Sequence, residues 1–435
     1  MENHQDKLFN PRFSGPLEFG SDQYVPILKS MSGERTALRE MREDDPVVGA
    51  RVTPLIEARD HRPLPIEPTQ DEPGTDDFPE EAEEEDEDRE PYNLALELDH
   101  MEPKPRTSKK PRTPPEYLRN LPTQLLEAVG PFRPFYLDFP LTASDQMLRL
   151  RSNVKLPEVN AIEYVYAACR EKDLWFIPVL DGSRADSGRP ALVRRVMRTA
   201  WRGVCLRLKA TGTFYEDRIP GTIGLGRRVA AMKAALEVES KDVDLLLELG
   251  YLEEGSGVTA DTIARVMAEV DGLDRFRSVI VAGTVIPNTT AGWPLNAVTV
   301  LPRLEWQLWS DLRRRRDLRP VTYGDYGVQH PQGPITNGRA RANVRYTTPE
   351  TVVYSLGAGT IAKAGLDQYQ PVCQRIVDSG QFRGPAYTWG DDIIGGTADR
   401  RIPPKGEPQW RGAGTSHHLK QVVQDLVAQS LPPAP

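Results

Sequence analysis

Cysteine is scarce: Cys169, Cys205 and Cys373 are the only three in 435 residues. They lie too far apart for a CxxC or CxxxC pair, which excludes a zinc ribbon and a disulfide scaffold and suits a reducing compartment. No apolar run reaches eighteen residues, and no basic segment leads into an apolar one near the N-terminus. We therefore expect no membrane span, no secretion and a cytoplasmic location. P-loop, HExxH and HxH patterns are missing too, so no cofactor or metal is named by motif. The nearest approach is Gly221-Thr222-Ile223-Gly224-Leu225-Gly226. It could cradle a phosphate on backbone amides or simply start a helix.

Hydrophobic residues amount to only 39% and there are 39 prolines, but the deficit is local. Residues 71–90 carry thirteen acids and one arginine, a net of −12, which leaves the other 415 residues at +4 out of a total of −8. This acidic run sits in a Pro-rich stretch, 60–115, that ends in a basic patch at Lys104, Arg106, Lys109, Lys110 and Arg112. Too little of it is apolar to offset the entropy of ordering, so a disordered insertion is expected. One short apolar patch within it, 92–98, could be a docking helix, a transient helix with no partner being the plainer alternative.

Elsewhere apolar strands alternate with amphipathic helices. Strands are expected at 24–29, 51–57, 135–138, 174–181, 203–209, 243–248, 278–283 and 321–325, and each is followed by a helix or by space for one. That grammar implies βαβ crossovers and parallel pairing, and eight units are the complement of a (β/α)8 TIM-barrel-like fold. An open doubly wound sheet is the competing arrangement. Further on, 342–347 and 351–356 flank Thr348-Pro349-Glu350 and predict an antiparallel hairpin. Helices at 369–378 and 417–429 would complete a C-terminal hairpin/helix extension. The organisation expected is a flexible segment 1–22, a single domain 23–430 interrupted by the insertion, and a tail 431–435.

Charged residues close the strands: Lys29, Glu57, Asp138, Asp181, Arg207 with Lys209, Glu248 and Asp325. In a barrel these ends share one rim. Charges there are costly to bury alone, so they must pair or bind something. Bases could fix an anionic ligand and acids could carry acid/base work; solvated rim residues or loop struts are the plainer alternative. Asp325 is the foremost candidate, bracketed as Tyr323-Gly324-Asp325-Tyr326-Gly327, with Tyr323 and Tyr326 placed to wall a ligand. Arg303 opens a helix and could fork onto the rim carboxylates. Glu305 follows it as a second catalytic candidate, or as a carboxylate favouring the helix dipole. Trp306 and Trp309 are expected to pack on the barrel. Trp410, Arg411, His417 and His418 lie in a Gly-rich loop entering the last helix; at most one histidine should reach a site, His417 being the catalytic candidate. With Asp391 or Asp392 the histidines could also ligate a divalent ion, without a supporting spacing. Arg313 to Arg316 cluster where a helix dipole welcomes cations, and offer weak support for nucleic acid.

These landmarks resemble the phage protein beta family of bacteriophages and bacterial mobile elements. The residues that carry the resemblance begin with Tyr24-Val25-Pro26-Ile27-Leu28-Lys29, Gly33-Glu34, Ala37-Leu38 and Pro54-Leu55-Ile56-Glu57. They continue with Arg303-x-Glu305-Trp306, Tyr323 to Gly327, Arg345-Tyr346, Gly390-Asp391, Trp410-Arg411 and His417-His418. The insertion departs from the family's compact second unit. The resemblance implies a role in phage exclusion, defence or mobile-element conflict, and a protein partner encoded in the same locus. It implies no reaction. The expectation is a charged ligand- or partner-binding site at the barrel mouth. A hydrolase or phosphodiesterase using rim carboxylates and a histidine, and a non-catalytic antitoxin-like scaffold, are the alternatives.

Overall fold

Eight strands close into a parallel barrel, and they are the eight that the apolar runs mark out. In the computed structural model β1 is Tyr24–Lys29, β2 Leu55–Glu57, β3 Pro134–Asp138, β4 Trp175–Asp181 and β5 Val204–Lys209. β6 is Val243–Tyr251, β7 Ser278–Thr284, β8 Val298–Pro302 and β9 Thr322–Asp325. β1 to β7 run round in chain order and β9 closes the ring against β1. The structure describes residues 23–58, 114–139, 161–182, 189–200, 202–209, 224–332 and 340–430. The segment 1–22, the tail 431–435 and all but the last two residues of the 60–115 insertion, with its docking helix, lie outside them.

Strand alternation divides the apolar residues between two cores. Val25, Ile27, Leu55, Tyr136, Ile177, Val179, Cys205, Leu246, Ile280 and Ala282 fill the barrel interior. Their neighbours face outward and join the helices in a larger layer that includes Leu28, Ile56, Leu137, Leu206 and Val281. Each fully buried Leu, Ile, Val or Phe contributes roughly 1.5–3 kcal/mol. At the N-terminal end of the barrel, Arg277 bonds Asp244 through Nε at 2.9 Å and Ser278 Oγ donates to the same carboxylate at 2.7 Å.

The C-terminal third builds a second sheet. β10 (Arg341–Thr347) and β11 (Thr351–Thr360) form the expected hairpin, and β8 adds to it in the antiparallel order β10-β11-β8. Helices Tyr369–Val377 and Trp389–Ala398 cover it around Val344, Tyr346, Val353 and Cys373. The last helix, Glu407–Ser430, ties the two parts together. Trp410 and Ala413 enter the second core, while Leu419, Val422, Val423 and Leu426 enter the barrel layer.

The stretch from Trp410 to His418 is thus helix and not the expected loop. Its glycines serve close packing. A Cβ on Gly412 would stand 2.8 Å from Gly33 O, and one on Gly33 would stand 2.2 Å from Pro408 O. Gly226 has a similar role: its Cβ would fall 2.1 Å from Glu269 O, a backbone contact between neighbouring helices. Residues 221–223 of that glycine motif lie outside the described residues.

Candidate functional site

The register phases of the strands decide which terminal charges meet. Val25, Ile27 and Lys29 share the inner face of β1; Lys29 pairs with Glu57 and Glu57 with Asp138. Asp181 pairs with Arg207 two residues beyond the inward Val179 and Cys205. Glu248 follows the inward Leu246 in β6. Lys29, Glu57, Asp138, Asp181, Arg207 and Glu248 therefore converge inside the C-terminal mouth, and all six are buried. The side chain of Lys209 lies outside the described residues.

Arg207 is the hub. Its Nη1 reaches Asp138 Oδ2 at 2.7 Å and Glu57 Oε1 at 2.8 Å, while Nε and Nη2 fork onto Glu248 at 2.5 and 2.9 Å. Burial alone would lower the guanidinium pKa, but Glu248, Glu57 and Asp138 outweigh it and raise it well above the usual value. Tyr326, from the loop after β9, points inward and donates its hydroxyl to Glu248. Lys29 Nζ donates to the His330 carbonyl at 3.0 Å, pinning that same loop. Burial, then Lys29 and Arg345, push the His330 imidazole down to about 4, so it is neutral. Glu34 accepts from the Lys29 amide at 3.1 Å, and burial, partly offset by Arg411 and Lys29, lifts its carboxyl to about 7.

Asp325 does not join this mouth. Gly324 pairs with the inward Val25 and Ala282, so Tyr323 and Asp325 face outward, into the helix layer. There Asp325 Oδ1 accepts from the Tyr24 hydroxyl and from the Gly327 amide at 2.8 Å, and Oδ2 lies 2.9 Å from His418 Nε2. His418 Nδ1 lies 2.7 Å from Thr347 Oγ1. His417 turns the other way along the helix yet meets the same residue: its Nε2 donates to the Thr347 carbonyl at 2.7 Å, and its Nδ1 lies 3.0 Å from Asp391 Oδ2. Both histidines are therefore engaged, one with the hydroxyl and one with the backbone of Thr347.

Arg303 also sits away from the rim. Its Nη1 bonds the carbonyls of Thr348 and Pro349 at 3.0 and 3.2 Å and Asp425 Oδ2 at 2.7 Å. Its Nε is 3.8 Å from Glu305 Oε1, beyond hydrogen-bond reach. Arg303 Nε and Nη2, Glu305 Oε2 and the Tyr323 hydroxyl are buried without a hydrogen-bond partner. Burial, opposed by Arg303 and reinforced by Asp325, raises the Glu305 carboxyl to about 8.

Trp306 and Trp309 pack edge-on against Tyr323 at 5.0 and 5.5 Å. Trp410 stacks on Tyr369 at 4.2 Å, and Arg411 reaches Glu407 at 2.5 Å. Asp391 accepts from Tyr346 at 2.7 Å and Thr388 at 2.6 Å besides facing His417, while Asp392 pairs with Arg401 at 2.6 Å. Among the described residues no three His, Cys, Asp or Glu side chains group as a metal ion would need. Arg315 pairs with Asp317 at 2.7 Å and Arg313 lies over Trp309, so part of the arginine run is held by intramolecular contacts. Sequence reasoning missed Tyr24 and Thr347 as members of a polar cluster. The first reads as a strand start and the second as a hairpin residue; the only hint is position, Tyr24 opening the first landmark motif and Thr347 following Arg345-Tyr346.

Fold and site together define a (β/α)8-class barrel with one charge cluster in its mouth and a second polar cluster outside the ring. The chain belongs to the Beta protein family, whose sequence profile matches residues 24–424. No curated protein and no solved structure matches it significantly. No helix among the described residues is long and apolar enough to cross a membrane.

Proposed function

We propose that this Beta-family protein acts in phage exclusion or mobile-element conflict by binding a charged ligand, or a charged segment of a partner encoded in its locus, at the barrel mouth. The observation that carries this reading is the convergence of six charged side chains from six strands inside one mouth, four carboxylates against Arg207 and Lys29. Buried ionic groups of this kind contribute little to stability compared with apolar packing. The C-terminal mouth is also where barrels of this class bind their ligands. The acid excess favours a cationic group. The setting in phage conflict rests on the family.

Asp181 is the residue to change, because Arg207 keeps its three carboxylates without it. Asp181→Asn should leave the melting transition within a few degrees of wild type and abolish protection in a phage-challenge assay. Full protection by a stable Asp181→Asn protein would remove the mouth from the function.

A further inference from the structure

Thr347 is the point on which both histidines converge, and the chemistry assembled there differs from ligand binding at the mouth. Donor and acceptor accounting orients the cluster. Asp325 accepts from Tyr24 and from the Gly327 amide. Burial would raise its pKa, but His418, Tyr24 and Gly327 outweigh burial and hold it below the usual carboxylate value. An ionised carboxylate takes its contact with His418 from an Nε2–H. Nδ1 is then the bare nitrogen, and the Thr347 hydroxyl, 2.7 Å away, donates to it. Carboxylate, imidazole and hydroxyl stand in the order that activates a hydroxyl as a nucleophile.

A second observation points to a reacting group beside this relay. Arg303 is fully buried, and its Nε and Nη2, which form one edge of the guanidinium, make no well-formed hydrogen bond, nor does the Tyr323 hydroxyl; the two lie close enough to act on one another, and Glu305 Oε1 is 3.8 Å from Nε. Arg303 is fixed next to Thr347 by its bonds to the carbonyls of Thr348 and Pro349, and Tyr323 is two residues from Asp325. Donors without a well-formed bond beside a nucleophile can meet charge that develops during reaction. Thr347 ends β10, and only Thr348 separates it from the exposed turn at Pro349 and Glu350.

We propose that Thr347, His418 and Asp325 form a nucleophile, base and orienting acid for acyl transfer from an ester. Thr347 Oγ1 attacks the carbonyl carbon and its proton passes to His418 Nδ1. The imidazolium is held by Asp325, and the Arg303 edge with Tyr323 takes the oxyanion. The C–O bond to the leaving alcohol breaks, and the alcohol departs with the proton from His418. Water then gives a proton to His418 and attacks the threonyl ester; that proton returns to Thr347 Oγ1 as the carboxylic acid leaves.

The test uses the full-length protein, p-nitrophenyl acetate, and a fluorophosphonate probe whose adduct is located by peptide mass spectrometry. The adduct is expected on Thr347 in the wild type. Thr347→Ala and His418→Gln should lower turnover by about 100-fold or more, while Thr347→Ser retains it. A threonine serving only as a strut would give no adduct, and its hydroxyl would not govern turnover. No adduct on folded wild-type protein, an adduct on another residue, or turnover unchanged in Thr347→Ala overturns the proposal.

Discussion

Replacing Arg207 by methionine tests whether the mouth is held by its charges. The guanidinium bonds three buried carboxylates, Asp138, Glu57 and Glu248, at 2.5–2.9 Å. Methionine has a similar reach and no charge, so the carboxylates would face one another without the cation that now bonds them. Removing one partner of a buried ion pair costs about 3–5 kcal/mol, because the other charge is stranded. A loss of that size should appear in urea unfolding at pH 7.5. It should shrink at pH 5, where proton uptake relieves the stranded charges in the folded state. Arg207→Lys keeps the charge without the fork and should fall between the two. A loss below about 1 kcal/mol at pH 7.5, or one that does not shrink in acid, would refute this reasoning.

Glu305 gives a pH signature. Its folded value, about 8, lies above the ordinary 4.5, so the folded protein keeps a proton that the unfolded chain has lost across that window. Stability should therefore fall as pH rises from about 5 to 8, by on the order of 3 kcal/mol from this group, and Glu305→Gln should remove that slope in urea melts. Glu34, lifted to about 7, should act in the same direction up to that pH. Gly390→Ala should destabilise by roughly 1–3 kcal/mol, because its Cβ would lie 2.1 Å from the Ala413 carbonyl and neither backbone can yield cheaply.

Much of the barrel was legible because its eight strands are short apolar runs, seven of them with a charge at or near the end, a pattern local enough to read residue by residue. The direction of each terminal charge was less so. Strands buried on both faces carry no alternation to fix the phase, and in β9 the phase is set by pairing Gly324 with Val25, which turns Asp325 outward. Gly324 leaves little room for anything larger: a Cβ would stand 2.9 Å from Val25 O. The glycines near His417 read as a loop because a sequence does not show that Gly412 lies against Gly33 across a helix crossing. Arg303 was expected to fork onto the rim, but Asp425, 122 residues away, takes it instead. Thr347 had no local signal beyond its place after Arg345-Tyr346. Its role depends on β10 meeting Tyr24, Asp325 and the last helix.

Native mass spectrometry of the protein purified from phage-challenged cells tests the ligand site at the mouth most directly. The wild-type chain should carry a non-covalent mass that is absent from a folded Asp181→Asn chain prepared in the same way. Identical spectra for the two proteins would contradict the claim that the mouth holds a charged ligand.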